Sequence, residues 1–469
     1  MGQVITFYSY KGGVGRTMAL ANVATLLAKW GYKTLIVDWD LEAPGLEFYF
    51  QDFIDVSTIA LERGLVDLFD EAERGRDECV ANDVNWEDTV IEIEIPNSEQ
   101  SLHLITAGQR DKSGSYFNKV TELDWVSFYE KKGGFLVEHL RQDWKESYDY
   151  VLIDSRTGIT DIGGICTIQL PDVLVLLFTA NEQSLSGVID VANKAQAARW
   201  DLPFDRASLL CLPIPSRFDS SEEFKISQEW LNRFSQDLEK IYGDWLPRTV
   251  EKRHFLEITK IPYSSYFSFG EKLPVIEQGT TDPAGLGYAY ENLATIISDG
   301  FESVEELLVN RDRLVSEQSH RKSKVRVFIA HTNEDAQLSK DLYFRLKEDT
   351  RYQPWSYAQD IFPGQNWRQE ITSAIKESDI ILVCLSALSV KKSDYRQREF
   401  NEALKLVGKK SPHSFLIPVR FSNFSASALP QWSGINFDDL YWLDYQSEDA
   451  FETLTALIER HQFSKSLAT

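Results

Sequence analysis

Cysteine is scarce: four residues in 469, and Cys79, Cys166, Cys211 and Cys384 stand far apart with no C-x-x-C pairing. That spacing argues against a disulfide framework or a thiolate zinc site and predicts reduced thiols. Long apolar runs are missing as well. No stretch approaches the roughly 18 residues of a spanning helix, and the chain enters a strand-like run within a few residues of Met1, which leaves no space for a signal peptide. A soluble, cytoplasmic protein with no membrane association is expected. Positive charge is the third shortage. Against 72 acidic residues there are 49 Lys and Arg, a formal net charge of −23, which argues against nucleic acid as a partner over the surface at large. No repeat or low-complexity tract is visible.

What is present is enough chain for two or three domains, each with its own core. The first landmark is Lys11-Gly-Gly-Val-Gly-Arg-Thr17, which follows the apolar run Val4 to Tyr8 and precedes Met18-Ala-Leu-Ala-Asn-Val-Ala, a stretch of helical periodicity. Strand, glycine loop and helix in that order make a phosphate-binding loop. Gly12, Gly13 and Gly15 allow the backbone to turn N–H groups toward one anion, and the helix starting near Thr17 adds its positive end. The G-x-x-x-x-G-K-[ST] spacing is not met, because Arg16 stands in the lysine slot.

Further along, Lys33-Thr-Leu-Ile-Val-Asp-Trp-Asp is an apolar strand that delivers Asp38 and Asp40 at its C-terminal end, the edge where open parallel sheets bind ligands. Either acid is also placed to cap the loop Leu41 to Gly45. Tyr150-Val-Leu-Ile-Asp154 ends in a carboxylate as a magnesium-facing strand does. Strands at 172–179 and 207–215 alternate with helical stretches at 187–200 and 227–242, a pattern that predicts a doubly wound parallel sheet. Between residues 50 and 145 the sequence offers elements, including a strand at Trp86 to Ile95, but no evident chemistry.

The loop, the D-x-D pair and the strand ending at Asp154 together resemble the ParA/MinD group of deviant Walker A ATPases. The resemblance implies that ATP is held by Lys11, Gly12, Gly13, Val14, Gly15, Arg16, Thr17 and Met18, with Lys11 reaching the phosphates of a partner in a nucleotide-sandwiched dimer. It implies magnesium near Thr17, Asp38 and Asp154, with Asp40 orienting the attacking water. It also implies purine contacts from the loop after a later strand, here Pro213 and Arg217, although Arg217 serves equally as an ion-pair partner. A planar guanidinium at Arg16 in place of a compact ammonium predicts slow hydrolysis or none.

Residues 1–300 are read as this module and 301–324 as a helical and polar linker. Residues 325–469 restart the β/α alternation as a second, smaller α/β domain. From Val325 to about His461 this segment resembles a bacterial Toll/interleukin-1 receptor (TIR) domain, which implies a flavodoxin-like fold. Phe328-Ile329 with Glu334-Asp335 matches box 1, with Ala330 and His331 in place of serine and tyrosine; Asp360, Pro363 and Gly364 match the BB loop. Ser386 and the run Tyr395-Arg-Gln-Arg-Glu-Phe match the segment that carries a NAD-cleaving glutamate, here Glu399. Phe328, Asp360 and Ser386 are then substrate contacts, Phe328 being as well suited to the core and Glu399 to an exposed helix face. Cleavage of the nicotinamide–ribose bond passes through an oxocarbenium-like state and releases a neutral ring. One carboxylate then suffices to stabilise the developing charge.

The combined expectation is a nucleotide-gated effector: ATP and magnesium drive a homodimer or higher homo-oligomer, and the TIR domain cleaves NAD+ to nicotinamide and a linear or cyclic ADP-ribose. Family analogy adds a role in antiviral defence and a partner protein of such a system. The alternative is a recruitment protein in which the TIR domain is not an enzyme and the ATPase module drives assembly.

Overall fold

The computed structural model describes residues 2–74, 85–98, 100–110, 114–123, 125–130, 133–158, 164–199, 202, 206–219, 224–319, 324–349, 351–361, 366–391, 415–424, 437, 440–447 and 449–466. The chain divides into two compact units, Met1–Lys322 and Ser323–Thr469.

The first unit is built on strands β1 (Gln3–Ser9), β2 (Thr34–Asp38), β3 (Val90–Ile93), β4 (Leu102–Ile105), β5 (Tyr150–Asp154), β6 (Val173–Phe178) and β7 (Leu210–Pro215). They form one sheet in the order β3-β4-β2-β5-β1-β6-β7, and β3 alone runs antiparallel to its neighbour. Its main helices are α1 (Arg16–Lys29), α2 (Leu65–Arg74), α3 (Gly133–Ser147), α4 (Glu182–Arg199), α5 (Leu286–Ser298), α6 (Val304–Val309) and α7 (Arg311–Ser319). The central strands are apolar on both faces because helices cover both faces. In β5, Leu152 joins the core under α1 and α5, whereas Val151 and Ile153 point into a second core with Trp39, Phe69, Phe128 and Trp144.

Helix α1 is buried on nearly every side from Ala19 to Ala28, with the sheet beneath it and α5 above. That surrounding apolarity fixes the helix that starts at the glycine loop. The stretch 301–324 contains helices as the sequence suggested, yet they are part of the first unit. Val304, Leu307 and Leu314 are buried in its core, and Gln318 Nε2 donates to Asp299 Oδ1 at 3.0 Å.

The second unit carries β8 (Val325–His331), β9 (Tyr352–Trp355), β10 (Ile380–Leu385), β11 (Phe415–Arg420) and β12 (Leu443–Asp444), all parallel in the order β12-β11-β10-β8-β9. Counted within the unit this is 2-1-3-4-5 from the β9 edge, the flavodoxin-like order the sequence led us to expect. Helices α8 (Ala336–Glu348), α9 (Trp367–Glu377) and α10 (Ala450–Ser466) accompany it. Alternate residues of β10 enter two cores: Ile380, Leu382 and Cys384 one, Ile381, Val383 and Leu385 the other. Cys166, Cys211 and Cys384 are buried free thiols; Cys79 lies outside the described residues.

Candidate functional site

The C-terminal edge of the first sheet gathers the chemistry. Strand β1 runs into the loop at Lys11, and β2 and β5 lie side by side with Asp38 opposite Asp154. Gly13 and Gly15 have φ of 74° and 87°, the left-handed region that a side chain resists. The turn they make brings the chain into α1, whose first turn carries no acidic residue to compete for an anion. A Cβ added at Gly12 or Gly13 would meet nothing within 4 Å among the described residues, so the loop is open to close approach.

The loop is held from β7. Ser216 Oγ donates to the Val14 carbonyl at 2.7 Å, and Arg217 Nη1 donates to the Gly13 carbonyl at 2.8 Å. Arg217 itself has a φ of 52°, an uncommon conformation for a residue with a side chain. Its guanidinium also donates to Ser268 Oγ and lies 5.2 Å from the Tyr263 ring centre. Arg217 therefore touches the loop directly, whereas Pro213 is buried inside β7 with its carbonyl accepting from Tyr242 Oη at 2.5 Å. Lys11 is half-buried and makes no ion pair among the described residues. Val14 is buried, and Met18 packs against the core under α1.

Arg16 turns inward. Its Nε donates to Asp154 Oδ1 at 2.5 Å and its Nη2 to Asp40 Oδ2 at 2.8 Å, with 6% of the residue exposed. Burial works against the charge, but the two carboxylates hold the guanidinium above its ordinary pKa. The remaining nitrogen, Nη1, is buried without a hydrogen-bond partner among the described residues. Asp154 is fully buried, and burial pushes its carboxyl up against the pull of Arg16.

Asp38 lies beside this pair and faces the other way. It accepts from Asp40 N through Oδ1, and from Gly45 N and Leu46 N through Oδ2, at 3.0, 3.0 and 3.2 Å. It thus caps the loop after β2. Burial first, and then Asp154 and Glu47, push its carboxyl up to about 8. Sequence reasoning missed the ion pair of buried Glu47 with half-buried Arg110 next to Asp38. Tyr116, whose Oη donates to the Leu41 carbonyl at 2.7 Å, was missed as well. Nothing in the sequence links Glu47 to Arg110, 63 positions later and inside the stretch with no evident chemistry.

Magnesium does not fit these donors as they stand. Asp40 and Asp154 are both held by Arg16, Asp38 accepts from backbone N–H groups, and no cluster of His, Cys, Asp and Glu among the described residues is arranged to hold a metal ion. A polyphosphate does fit: the open glycine turn, the start of α1 and the unpartnered Arg16 Nη1 all favour an anion.

In the second unit, His331, Ser356 and Ser386 lie at or just beyond the C-terminal ends of β8, β9 and β10. The His331 ring bonds the Thr332 carbonyl through Nδ1 at 2.9 Å, approaches Ser356 Oγ through Nε2 at 3.2 Å, and stacks on Tyr357 with ring centres 4.7 Å apart. Asp360 has both oxygens engaged, one by Tyr343 Oη and one by Ser356 N. Ser386 is buried and tied to Ser389. Phe328 is fully buried and stacked on Trp355, centres 5.1 Å apart at 15°, which makes it a core residue. Glu399, Pro363 and Gly364 lie outside the described residues.

Comparison with known proteins finds a different family in each unit. A family described as an AAA domain matches residues 2–201, and one described as a TIR domain matches residues 327–458. The septum site-determining protein MinD of Helicobacter pylori is 28% identical over 204 residues, 42% of this chain and 62% of its own length. The chain thus spans less than two-thirds of that relative. Among solved structures, MinD of Pyrococcus horikoshii complexed with Mg-ADP is 19% identical, with 65% of this chain and 99% of that chain covered and a TM-score of 0.41. The pNOB8 ParA bound to nonspecific DNA is 16% identical, with 65% and 99% covered and a TM-score of 0.44. No helix among the described residues is long and apolar enough to cross a membrane.

Proposed function

We propose that this chain, a ParA/MinD-type ATPase module joined to a TIR domain, is a nucleotide-gated effector in which ATP at the glycine loop controls cleavage of NAD+ by the TIR domain. The observation that carries the reading is the phosphate loop itself. It is positioned from β7 by Ser216 and Arg217, has an open glycine turn and a buried spare guanidinium nitrogen, and shares its chain with a TIR domain.

In this reading Lys11, Gly12, Gly13, Gly15, Thr17 and Arg16 hold the triphosphate. Nucleotide-dependent association of copies then raises the local concentration of TIR domains without any new TIR contact, by tethering alone. Glu399 stabilises the positive charge on the ribose as the bond to nicotinamide breaks. The electron pair of that bond leaves with nicotinamide as a neutral ring. Water then adds to the ribose carbon and loses a proton, giving ADP-ribose; capture by an adenine nitrogen of the same molecule gives the cyclic product. A role in antiviral defence is the biological setting that the TIR analogy supports.

Incubation of the full chain with NAD+ and ATP tests the reading. Nicotinamide release that is lost in Glu399→Ala, with ATP binding retained, and lost in Lys11→Ala is the expected result. No release from clustered, ATP-saturated chain would remove the enzyme and leave a recruitment role.

A further inference from the structure

We propose that Arg16 is a resident counter-cation standing where a divalent ion would act, so that the first unit binds a nucleoside triphosphate without needing magnesium and leaves it uncleaved. This rests on the reading that the glycine loop binds ATP.

Three observations point the same way. The Arg16 guanidinium uses two of its three nitrogens on the acids nearest the loop, Nε on Asp154 and Nη2 on Asp40, and is itself almost wholly buried. A guanidinium does not deprotonate inside a protein, so it cannot leave these acids by losing its charge. The third nitrogen, Nη1, is buried and has no partner among the described residues. A phosphate oxygen would complete its hydrogen bonding while the other two bonds stay in place. Arg16 can thus bridge carboxylates and phosphate, which a lysine ammonium does with less reach.

Each of the three acids that a metal would need already has a partner. Asp38 accepts from three backbone N–H groups of its own loop, and Asp40 and Asp154 each give one oxygen to Arg16. Magnesium demands near-octahedral oxygens at about 2.0–2.1 Å and gives up water reluctantly. To reach Asp154 it would have to sit against the Arg16 guanidinium or displace it, with that positive charge nearby in either case. Phosphoryl transfer relies on a metal to neutralise charge on the transferring and leaving oxygens and on a free carboxylate to orient water. Here Asp40 is held by Arg16, so the nucleotide is bound and kept.

The test is calorimetric titration of the full chain with ATP, once in excess magnesium and once in EDTA. The expected dissociation constants differ by no more than about threefold, whereas weakening by about tenfold or more in EDTA, restored by magnesium, overturns the proposal. Absence of binding under both conditions overturns the glycine-loop reading as well, and so is distinct from magnesium-dependent binding, which overturns this inference alone. Arg16→Lys gives the second arm. It is expected to acquire a magnesium preference of about tenfold or more as its shorter ammonium frees the acids, and a variant as indifferent to magnesium as the parent chain would deny Arg16 the role.

Discussion

Arg16 and Asp154 are joined by a 2.5 Å bond from Nε to Oδ1, which ties the first residue of α1 to the last residue of β5. The residue that departs from the usual phosphate-loop pattern is therefore also the counter-ion of the sheet-edge acids. Loop, sheet edge and helix start become one electrostatic unit.

Removal of that counter-ion should be felt as instability. Arg16→Met leaves Asp154 buried with no cation beside it, and breaking one side of a buried ion pair costs about 3–5 kcal/mol. Urea unfolding of the full chain, followed by the fluorescence of the buried Trp39 and Trp144, should show a clearly lower midpoint. Arg16→Lys, which keeps the charge, should lose less. An unchanged midpoint for Arg16→Met would mean that Asp154 finds another partner or protonates without consequence.

Gly187 of α4 offers a route to the loop that avoids its residues. A Cβ placed there would lie 2.2 Å from Cγ of the Tyr10 ring, and Tyr10 immediately precedes Lys11. Gly187→Val should displace Tyr10, destabilise the unit by about 1–3 kcal/mol and weaken ATP binding, as read by titration beside a thermal melt. Retained stability together with unchanged affinity would show that the loop tolerates movement of its own base.

The legible parts of this protein were those whose chemistry is local in sequence. Gly12 to Thr17, the D-x-D pair and the apolar strand ending at Asp154 each declare an element and an edge within a few residues, and parallel sheets bring such edges together. Partners joined across long separations were invisible: Glu47 with Arg110, Arg16 with Asp154, Ser216 and Arg217 with the loop carbonyls. The two acids of the D-x-D pair also divide by orientation, which spacing does not encode. Asp40 turns toward Arg16, while Asp38 turns back to cap its own loop. Phe328 illustrates a third limit, because a strand aromatic faces core or ligand according to which helix covers it, and here it meets Trp355.

His331 should make the second unit sensitive to acid. Burial lowers its pKa below the usual value, while the bond to the Thr332 carbonyl and the charge of Asp335 pull the other way. A histidine with a depressed folded pKa binds more protons when unfolded. Its contribution is thus intact above the unfolded value near 6.5 and is lost as pH falls through it toward the folded value, by up to about 1.4 kcal/mol per pH unit. Thermal melts of the full chain at pH 8 and pH 5.5 should show a loss in the parent protein that is reduced in His331→Asn, which keeps a donor for the Thr332 carbonyl without titrating. Equal losses in the two proteins would assign the acid sensitivity to other groups.

Turnover of ATP should be slow. With Asp40 and Asp154 both engaged by Arg16, phosphate release from the full chain should fall well below the roughly 1–100 per second of active phosphoryl-transfer enzymes. A steady-state phosphate assay in excess magnesium decides this, and a rate within that range would show that Arg16 leaves the acids when nucleotide arrives.

The coupling of the two units is tested most directly by recording nicotinamide release against ATP concentration at fixed protein and NAD+, with particle size followed in the same samples. Release and size should rise together over one range of ATP, and the rise should be abolished in Lys11→Ala. Release at full rate without ATP, or a change in size that leaves release unaltered, would contradict it.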